Sequence, residues 1–177
     1  GCLLVRGDRV SRIVETEAYS GDGDLGCHAH RGPTPRTRVM FGPAGRSYVY
    51  FTYGNHWMLN VTAEPEGRGS AVLIRAAEPM AGLTEMRELR PKAARDEDLL
   101  NGPGKLAAAY RVTSSDYGCD LFDGSDLHMA DGPAVESVLV GVRVGLAEGK
   151  GDQTPWRFAD AAALRWVSRP LGTLRAD

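Results

Sequence analysis

The sequence lacks several features that mark particular classes of protein. It contains no apolar run approaching the ~20 residues of a membrane-spanning helix, and no basic-then-apolar signal segment opens it. Its three cysteines, Cys2, Cys27 and Cys119, are an odd number without paired spacing. We therefore expect no disulfide framework and an intracellular, reducing environment. A formal net charge of −2 also lacks the basic excess that usually marks a nucleic-acid-binding protein.

What the sequence does contain is typical of one globular domain. Its 177 residues, of which 42% are hydrophobic and 25% charged, predict a single soluble domain over residues 1–177. The predicted strands come in runs and do not alternate regularly with helices. This pattern favours an α+β fold and argues against a Rossmann or TIM-barrel arrangement.

The predicted elements follow from alternating polarity, β-branched runs and turn residues. Strands are expected at Leu3–Val5, Val10–Tyr19, Ser47–Tyr53, His56–Thr62, Ala71–Ala76, Val138–Leu146, Trp156–Phe158 and Leu164–Ser168. Helices are expected from Pro79 to about Arg90 and over Pro103–Tyr110, because proline suits a first helical turn. The Gly-, Pro- and His-rich stretch from Ser20 to Pro35 predicts a long loop, and such loops are often functional.

The charge is unevenly distributed along the chain. The net charge is −2 over residues 1–30, +3 over residues 31–110 and −3 over residues 111–177. The stretch from Arg31 to Ala63 contains four arginines, no acidic residue and six of the thirteen aromatic residues. Arginine interleaved with aromatic residues is typical of surfaces that neutralise phosphates and stack bases. The same composition also fits a half-buried sheet with an aromatic core and solvated arginines, so both interpretations stay open.

Three motifs resemble known binding sites but fit them poorly. Gly21–Gly26 matches the G-x-G-x-x-G pattern of dinucleotide-binding turns, but its two aspartates would repel a pyrophosphate. Gly102–Lys105 is similar to part of a P-loop, but it lacks the earlier glycine and the Ser or Thr after the lysine, so it predicts a turn and a helix start. Cys27, His28 and His30 could ligate zinc, yet a structural site wants four ligands with a second clustered pair. We therefore expect no metal.

One strand carries two glutamates and is the strongest candidate for chemistry. Within Val10–Tyr19, Glu15 and Glu17 share one face and lie ~7 Å apart. One interpretation is a solvated strand face, because two like charges are costly to bury without partners. The other is a carboxylate at the mouth of a cleft that positions and deprotonates a water, with Tyr19 as an aromatic platform beside it.

Several motifs in order along the chain carry a resemblance to a known family. They are Val14–Tyr19, His28–Arg36, Val39–Pro43, Tyr48–Gly54, Leu73–Pro79 and Gly102–Leu106, followed by Pro155–Phe158 and Val167–Ser168. Together they closely resemble the alkyladenine (3-methyladenine) DNA glycosylase family over nearly the whole chain. Members of that family usually begin some residues earlier with a helix, so we expect this chain to be short at its N-terminus.

The resemblance implies both a fold and an activity. The expected fold is a single domain with a curved, mainly antiparallel β-sheet, surrounding helices and a β-hairpin that inserts into DNA. The expected reaction is hydrolysis of the N-glycosidic bond of alkylated or deaminated purines in double-stranded DNA, with no cofactor, metal or covalent enzyme intermediate. The expected protein is a monomer that associates with DNA inside the cell and has no contact with a membrane.

The resemblance also implies roles for the residues of the reaction centre. Glu17 aligns with the general base for the attacking water, and Arg75 matches an arginine close to that water and carboxylate. Tyr19 and Tyr50 match the pair that stacks on the flipped base. Tyr53 matches a tyrosine that fills the gap left in the DNA.

Four further residues match positions that recognise the base or the DNA backbone. His28 matches a pocket histidine that packs against the flipped base and hydrogen-bonds it, and Asn60 matches the residue that screens out normal guanine. Thr34 and Arg36 resemble contacts to backbone phosphates. The matching pocket positions hold no lysine that could form a Schiff base, so we expect water to be the nucleophile and an abasic site to be the product.

Some residues depart from the family pattern, and two other functions remain open. Asn55 stands where the family commonly has a hydrophobic residue, His56 lies beside it, and His30 stands where many relatives have tyrosine. The alternatives are a non-catalytic nucleic-acid-binding module, with its aromatic residues as a stacking platform, and a hydrolase of free nucleosides.

Overall fold

The computed structural model describes residues 1–52 and 54–176. Those residues form nine β-strands and three short α-helices. The strands are β1 (Leu3–Arg6), β2 (Arg9–Ser20), β3 (Ser47–Thr52), β4 (His56–Val61), β5 (Ser70–Ala81), β6 (Leu127–Ala130), β7 (Val138–Gly141), β8 (Arg157–Asp160) and β9 (Arg175–Ala176). The helices are α1 (Leu83–Leu89), α2 (Glu97–Leu100) and α3 (Pro103–Ala109).

The strands form one antiparallel sheet in the order β3-β4-β5-β2-β8-β7-β9, and β1 pairs with both β2 and β6. The two twelve-residue strands, β2 and β5, pair side by side at its centre. Their register shifts around Glu15, and such irregularities bend and twist a sheet locally. The α+β prediction with a curved, mainly antiparallel sheet is therefore confirmed.

The three helices pack on one face of the sheet and enclose the largest core. Its side chains come from the strands, from all three helices and from the segments that follow α3, and they include Ile13, Val49, Leu59, Ile74, Leu100 and Leu106. A smaller cluster on another part of the sheet contains Val14, Ala76 and Trp166. Neighbouring residues Ile13 and Val14 thus belong to different clusters, as expected where side chains alternate across a strand.

A third cluster fixes the loop that follows β2. Cys27, Ala29, Met40, Tyr48 and Ala71 are buried together, with Tyr19 and Tyr50 packed against them. The predicted loop Ser20–Pro35 contains a single 3₁₀ turn at His28–Arg31, in which the Ala29 N–H donates to the Cys27 thiol. This cluster anchors the loop against the hairpin formed by β3 and β4, and so fixes where its side chains lie.

The helix predicted from Pro79 was wrong at its start. Strand β5 continues through Pro79 to Ala81, and α1 begins only at Leu83. Pro79 lies opposite Ser11 beside a register shift, which is a position where a strand tolerates proline. Gly82 then takes a left-handed conformation with φ of 73°, which turns the chain from the strand into the helix.

One predicted strand was too long and another was wrong, for a shared reason. Strand β7 ends at Gly141 and not at Leu146, while Leu164–Ser168 forms turns. In these segments backbone groups bond to buried side chains and not to a neighbouring strand. The Val144 N–H donates to Glu17, the Ser168 N–H donates to Glu15, and the Ser168 carbonyl accepts from Arg157. The short elements α2, β6 and β9 were missed.

Candidate active site

Glu17 lies on β2 and is completely buried, which contradicts a solvated strand face. Its Oε1 accepts a hydrogen bond from the Val144 N–H at 2.7 Å. Its Oε2 accepts one from the Tyr19 hydroxyl at 2.8 Å and lies 3.2 Å from Nη1 of Arg75. A carboxylate offers about four acceptor positions. Donors from the described residues occupy three of those on Glu17, which leaves one on Oε1.

Glu15, two residues earlier, has a fuller set of partners. Its Oε1 accepts from Nε of Arg157 at 2.7 Å and from Nε of Arg75 at 3.0 Å. The Ser168 hydroxyl donates to the same oxygen at 2.8 Å, and the Ser168 N–H donates to Oε2 at 2.7 Å. Three of these donors converge on Oε1 and one reaches Oε2, so Glu15 has one donor more than Glu17 and pairs with two cations. The arrangement, with Arg75, Arg157 and Ser168 around the carboxylate, suits a structural anion.

Arg75 connects the two glutamates from the neighbouring strand β5. Its Nε binds Glu15, its Nη1 pairs with Glu17, and its Nη2 donates to the Ser168 hydroxyl at 3.0 Å. Burial alone would lower the pKa of Arg75, but the carboxylates of Glu17 and Glu15 outweigh burial and raise it. Arg75 is therefore a fixed cation whose position is determined by both acids.

A cavity of about 320 Å³ lies over this network, within the range of small-ligand sites. Its lining includes Tyr19, His28, Tyr48, Tyr50, Asn60, Arg75 and Val144. Glu17 does not line the cavity, but the three residues that contact its carboxylate do. The carboxylate thus lies directly beneath the cavity floor.

Two of the predicted stacking residues lie in the cavity wall. Tyr19 comes from the end of β2, and burial together with the charge of Glu17 raises the pKa of its hydroxyl. Tyr50 comes from β3 and packs edge-on against His28 with ring centroids 4.7 Å apart. Aromatic walls of this kind suit a flat, π-electron-bearing ligand.

His28 is held by the third tyrosine of the cavity. Its Nδ1 lies 2.8 Å from the Tyr48 hydroxyl. Burial, followed by the charges of Arg36 and His30, lowers the pKa of His28 to about 4. Near neutral pH the imidazole is therefore uncharged, with one ring nitrogen that donates a hydrogen bond and one that accepts.

Asn60 also lines the cavity and is almost fully buried. Its Nδ2 donates to the Tyr48 carbonyl at 3.0 Å, across the hairpin pair β3–β4. The amide is therefore held by the backbone of the strand that also supplies Tyr48 and Tyr50.

The residues predicted to contact DNA are less closely grouped. Thr34 is exposed, and its hydroxyl lies 2.9 Å from that of Thr37 within a local turn. Arg36 is exposed, and its guanidinium carbon lies 5.1 Å from the centre of the Tyr50 ring. Tyr53, the predicted wedge, lies outside the described residues.

The three residues that depart from the family pattern occupy different surroundings. His30 belongs to the loop after β2, where its Nδ1 lies 2.6 Å from the Cys27 carbonyl. Asn55 is in the turn between β3 and β4. His56 begins β4 and packs so closely on α3 that a Cβ at Gly104 would come within 2.8 Å of its ring.

The P-loop-like and zinc-like motifs take other roles. Pro103 and Gly104 open α3, as predicted, and Lys105 donates to Asn101 at 2.6 Å. Among residues 1–52 and 54–176, no three His, Cys, Asp or Glu side chains converge on a possible metal position. In the same part of the chain, every helix is too short or too polar to cross a membrane.

Sequence reasoning missed several groups of the site. It did not identify the Val144 N–H, and it considered Asp24 only as an obstacle to phosphate binding, yet Asp24 is buried and pairs with Arg143. Arg157 and Ser168 lie in the late motifs Pro155–Phe158 and Val167–Ser168, so the resemblance contained a signal for them. Backbone donors such as that of Val144 leave no residue-specific signal.

Comparisons with known proteins identify the family of the chain. The model of the family described as Methylpurine-DNA glycosylase (MPG) matches residues 1–163. The chain is 41% identical over 178 residues to a DNA-3-methyladenine glycosylase of Arabidopsis thaliana, covering 99% of this chain and 69% of the relative.

Two microbial relatives are both named "Putative 3-methyladenine DNA glycosylase". That of Chlorobaculum parvum is 46% identical over 162 residues, covering 92% of this chain and 77% of the relative. That of Methanocella arvoryzae is 46% identical over 150 residues, covering 84% of this chain and 75% of the relative.

Proposed function

Because the chain belongs to the methylpurine-DNA glycosylase family, we propose that it releases alkylated or deaminated purines from duplex DNA by hydrolysis. The target bond lies inside the base stack, so the nucleotide must first rotate out of the helix. The cavity beside Tyr19 and Tyr50 receives the expelled base. The product is a free base and an abasic site, which is the first step of base excision repair.

The observation that carries this proposal is the contrast between two buried carboxylates. The three donors to Glu17 all line the cavity, and its Oε1 has a single donor. Glu15 is held by two arginines and Ser168, and neither Arg157 nor Ser168 is among the described residues that line the cavity. A water bound at the vacant position of Glu17 can donate its proton there. Glu17 is therefore the general base, and Glu15 serves the architecture.

The reaction balances with water as the only co-reactant. The water oxygen bonds to the anomeric carbon of the sugar, the carbon–nitrogen bond breaks, and its electron pair leaves with the base. Glu17 takes one proton of the water, and Arg75 offsets the charge of the carboxylate. A cationic purine leaves as the neutral base, whereas a neutral purine leaves as an anion that takes up the proton. No lysine is among the described residues that line the cavity, which supports water and not an amine as the nucleophile.

The remaining predicted residues supply recognition. Tyr19 and Tyr50 stack on the base, at about 1–3 kcal/mol per stacked base. His28 and Asn60 present polar groups to its edge. Thr34 and Arg36 contact the backbone, and Tyr53 fills the space that the flipped base vacates. We propose that the protein acts as a monomer, associated with DNA inside the cell.

The test uses duplexes that contain one hypoxanthine, ethenoadenine or 3-methyladenine. We expect release of the damaged base, and strand breakage only after alkali treatment. Binding without release would favour a non-catalytic binding module. Equal release from the free nucleoside and from the duplex would favour a nucleoside hydrolase. Strand cleavage without alkali would contradict water as the nucleophile.

A further inference from the structure

Behind the wall of the cavity lies an ion pair that the proposed reaction does not use. Arg143 follows β7 and its side chain is fully buried, while Asp24 lies in the loop after β2 and is almost as buried. The guanidinium holds the Asp24 carboxylate with both terminal nitrogens, at 2.6 and 2.7 Å. Such a two-pronged pair is strong and fixes the plane of the guanidinium.

The guanidinium lies against two aromatic rings. Its central carbon is 4.6 Å from the centre of the Tyr19 ring and 5.2 Å from that of Trp156. Tyr19 lines the cavity, whereas neither Arg143 nor Trp156 is among the described residues that do. Arg143 therefore backs the tyrosine on which the expelled base would stack.

The dipeptide Arg143–Val144 also holds the proposed general base. Arg143 Nη1 donates to the Ala18 carbonyl at 3.0 Å, which ties the dipeptide to β2 between Glu17 and Tyr19. The next residue, Val144, donates its N–H to Glu17. The stacking platform and the carboxylate are thus positioned by one short segment, and Asp24 fixes that segment.

The charge of this pair has a consequence for the base. A buried cation behind Tyr19 would stand roughly 9 Å from a base stacked on the ring's other face. At an effective dielectric constant of about 20, two like charges at that distance repel strongly enough to change a rate roughly tenfold or more. N-methylated purines such as 3-methyladenine and 7-methylguanine are cationic in their nucleosides, while hypoxanthine is neutral.

We propose that Arg143 is a positioning residue for Tyr19 and Glu17. Asp24 determines specificity, because it cancels the charge of Arg143 and so lets the cavity accept cationic as well as neutral purines. This inference rests on the proposed glycosylase function. Arg36 near Tyr50 needs no such partner, because it is exposed and water screens its charge.

The test compares single-turnover release of 7-methylguanine and of hypoxanthine from otherwise identical duplexes. Asp24→Asn leaves the charge of Arg143 uncompensated. We therefore expect the ratio of the two rates, 7-methylguanine over hypoxanthine, to fall roughly tenfold. Asp22→Asn is the matched control, because Asp22 is exposed and pairs with Arg68 on the surface; its ratio should equal that of the unaltered protein.

A second variant separates charge from structure. Asp24→Asn/Arg143→Met removes both charges, so the ratio should return to that of the unaltered protein while both rates fall because Tyr19 loses its backing. An unchanged ratio in Asp24→Asn would overturn the inference, and so would a shifted ratio in the double variant. If Asp24→Asn does not fold, Arg143→Met alone decides the matter, because the uncompensated Asp24 carboxylate should then shift the ratio in favour of the cationic base, and an unchanged ratio would overturn the inference. Failure of the unaltered protein to release either base would instead refute the glycosylase function.

Discussion

Glu15 and Glu17 lie two residues apart on the same strand and are equally buried, but their surroundings differ. Glu15 is enclosed by Arg75, Arg157 and Ser168. Glu17 shares only Arg75 with it, and its other donors, Tyr19 and Val144, belong to the cavity wall. Arg157 and Ser168 are not among the described residues that line the 320 Å³ cavity, whereas all three residues that contact the Glu17 carboxylate are.

The difference lies in the groups that replace the hydration of each buried carboxylate. Burial costs a carboxylate its hydration, and hydrogen bonds and cations must replace it. At Glu15 two arginines and Ser168 supply this replacement with four donors. At Glu17 three donors supply it, all from residues that line the cavity, so the position of the donors and not the burial distinguishes the two carboxylates.

The largest effect is expected from Glu17→Gln. The amide keeps the shape of the side chain but cannot accept the proton, so base release should slow roughly a thousandfold in single-turnover assays. Binding to a duplex that contains hypoxanthine should persist, because the aromatic walls are unchanged. Normal turnover by a correctly folded variant would refute Glu17 as the base.

The matched change Glu15→Gln should act mainly on stability. It leaves Arg157 and Arg75 short of a buried partner, which we expect to cost about 3 kcal/mol of the free energy of unfolding. Urea denaturation measures this loss. Base release per folded molecule should fall far less than in Glu17→Gln; a thousandfold loss without destabilisation would reverse the two roles.

Arg75→Lys should affect both carboxylates at once, and each more weakly. Lysine keeps the charge but lacks the fork that reaches Glu15, Glu17 and Ser168 together. We expect a loss of about 2 kcal/mol in stability and roughly tenfold slower base release. An effect on only one of these measurements would show that Arg75 serves only one acid.

The smallest effect concerns His28 and pH. Its pKa in the folded protein, about 4, lies below the ordinary value of 6.5, so the unfolded chain binds more protons between these pH values. Stability should therefore fall as the pH is lowered from 6.5 to 4, by about 1 kcal/mol after allowance for solvent screening. His28→Gln should remove this contribution, and an identical slope in both proteins would contradict the pKa shift.

Parts of the fold that depend on local pattern were predictable. The alternation in β2, the aromatic hairpin β3–β4 and the proline-led helix α3 all appear in the structure close to their predicted bounds. Segments whose backbone groups serve distant side chains were not predictable. The chain around Val144 and Ser168 reads as strand in sequence, yet its N–H groups bind Glu17 and Glu15.

The candidate site divides in the same way. Motif resemblance pointed to Glu17, Tyr19, His28, Tyr50, Asn60 and Arg75, and the structure brings these side chains together around or beneath one cavity. The resemblance did not separate the chemistry of Glu17 from that of Glu15 by any physical criterion. Nor did it reveal Arg143 and Asp24, which are more than a hundred residues apart in sequence.

The sequence by itself determined the fold class, the family and the types of side chain available for the reaction, because alternation, turn residues and motif order are local properties of a chain. Only the tertiary structure decided which glutamate lies against the cavity and which arginine stands behind Tyr19. Those outcomes depend on donors brought from Val144, Arg157 and Ser168, more than a hundred residues away along the chain. Distances between such groups exist only once the chain has folded.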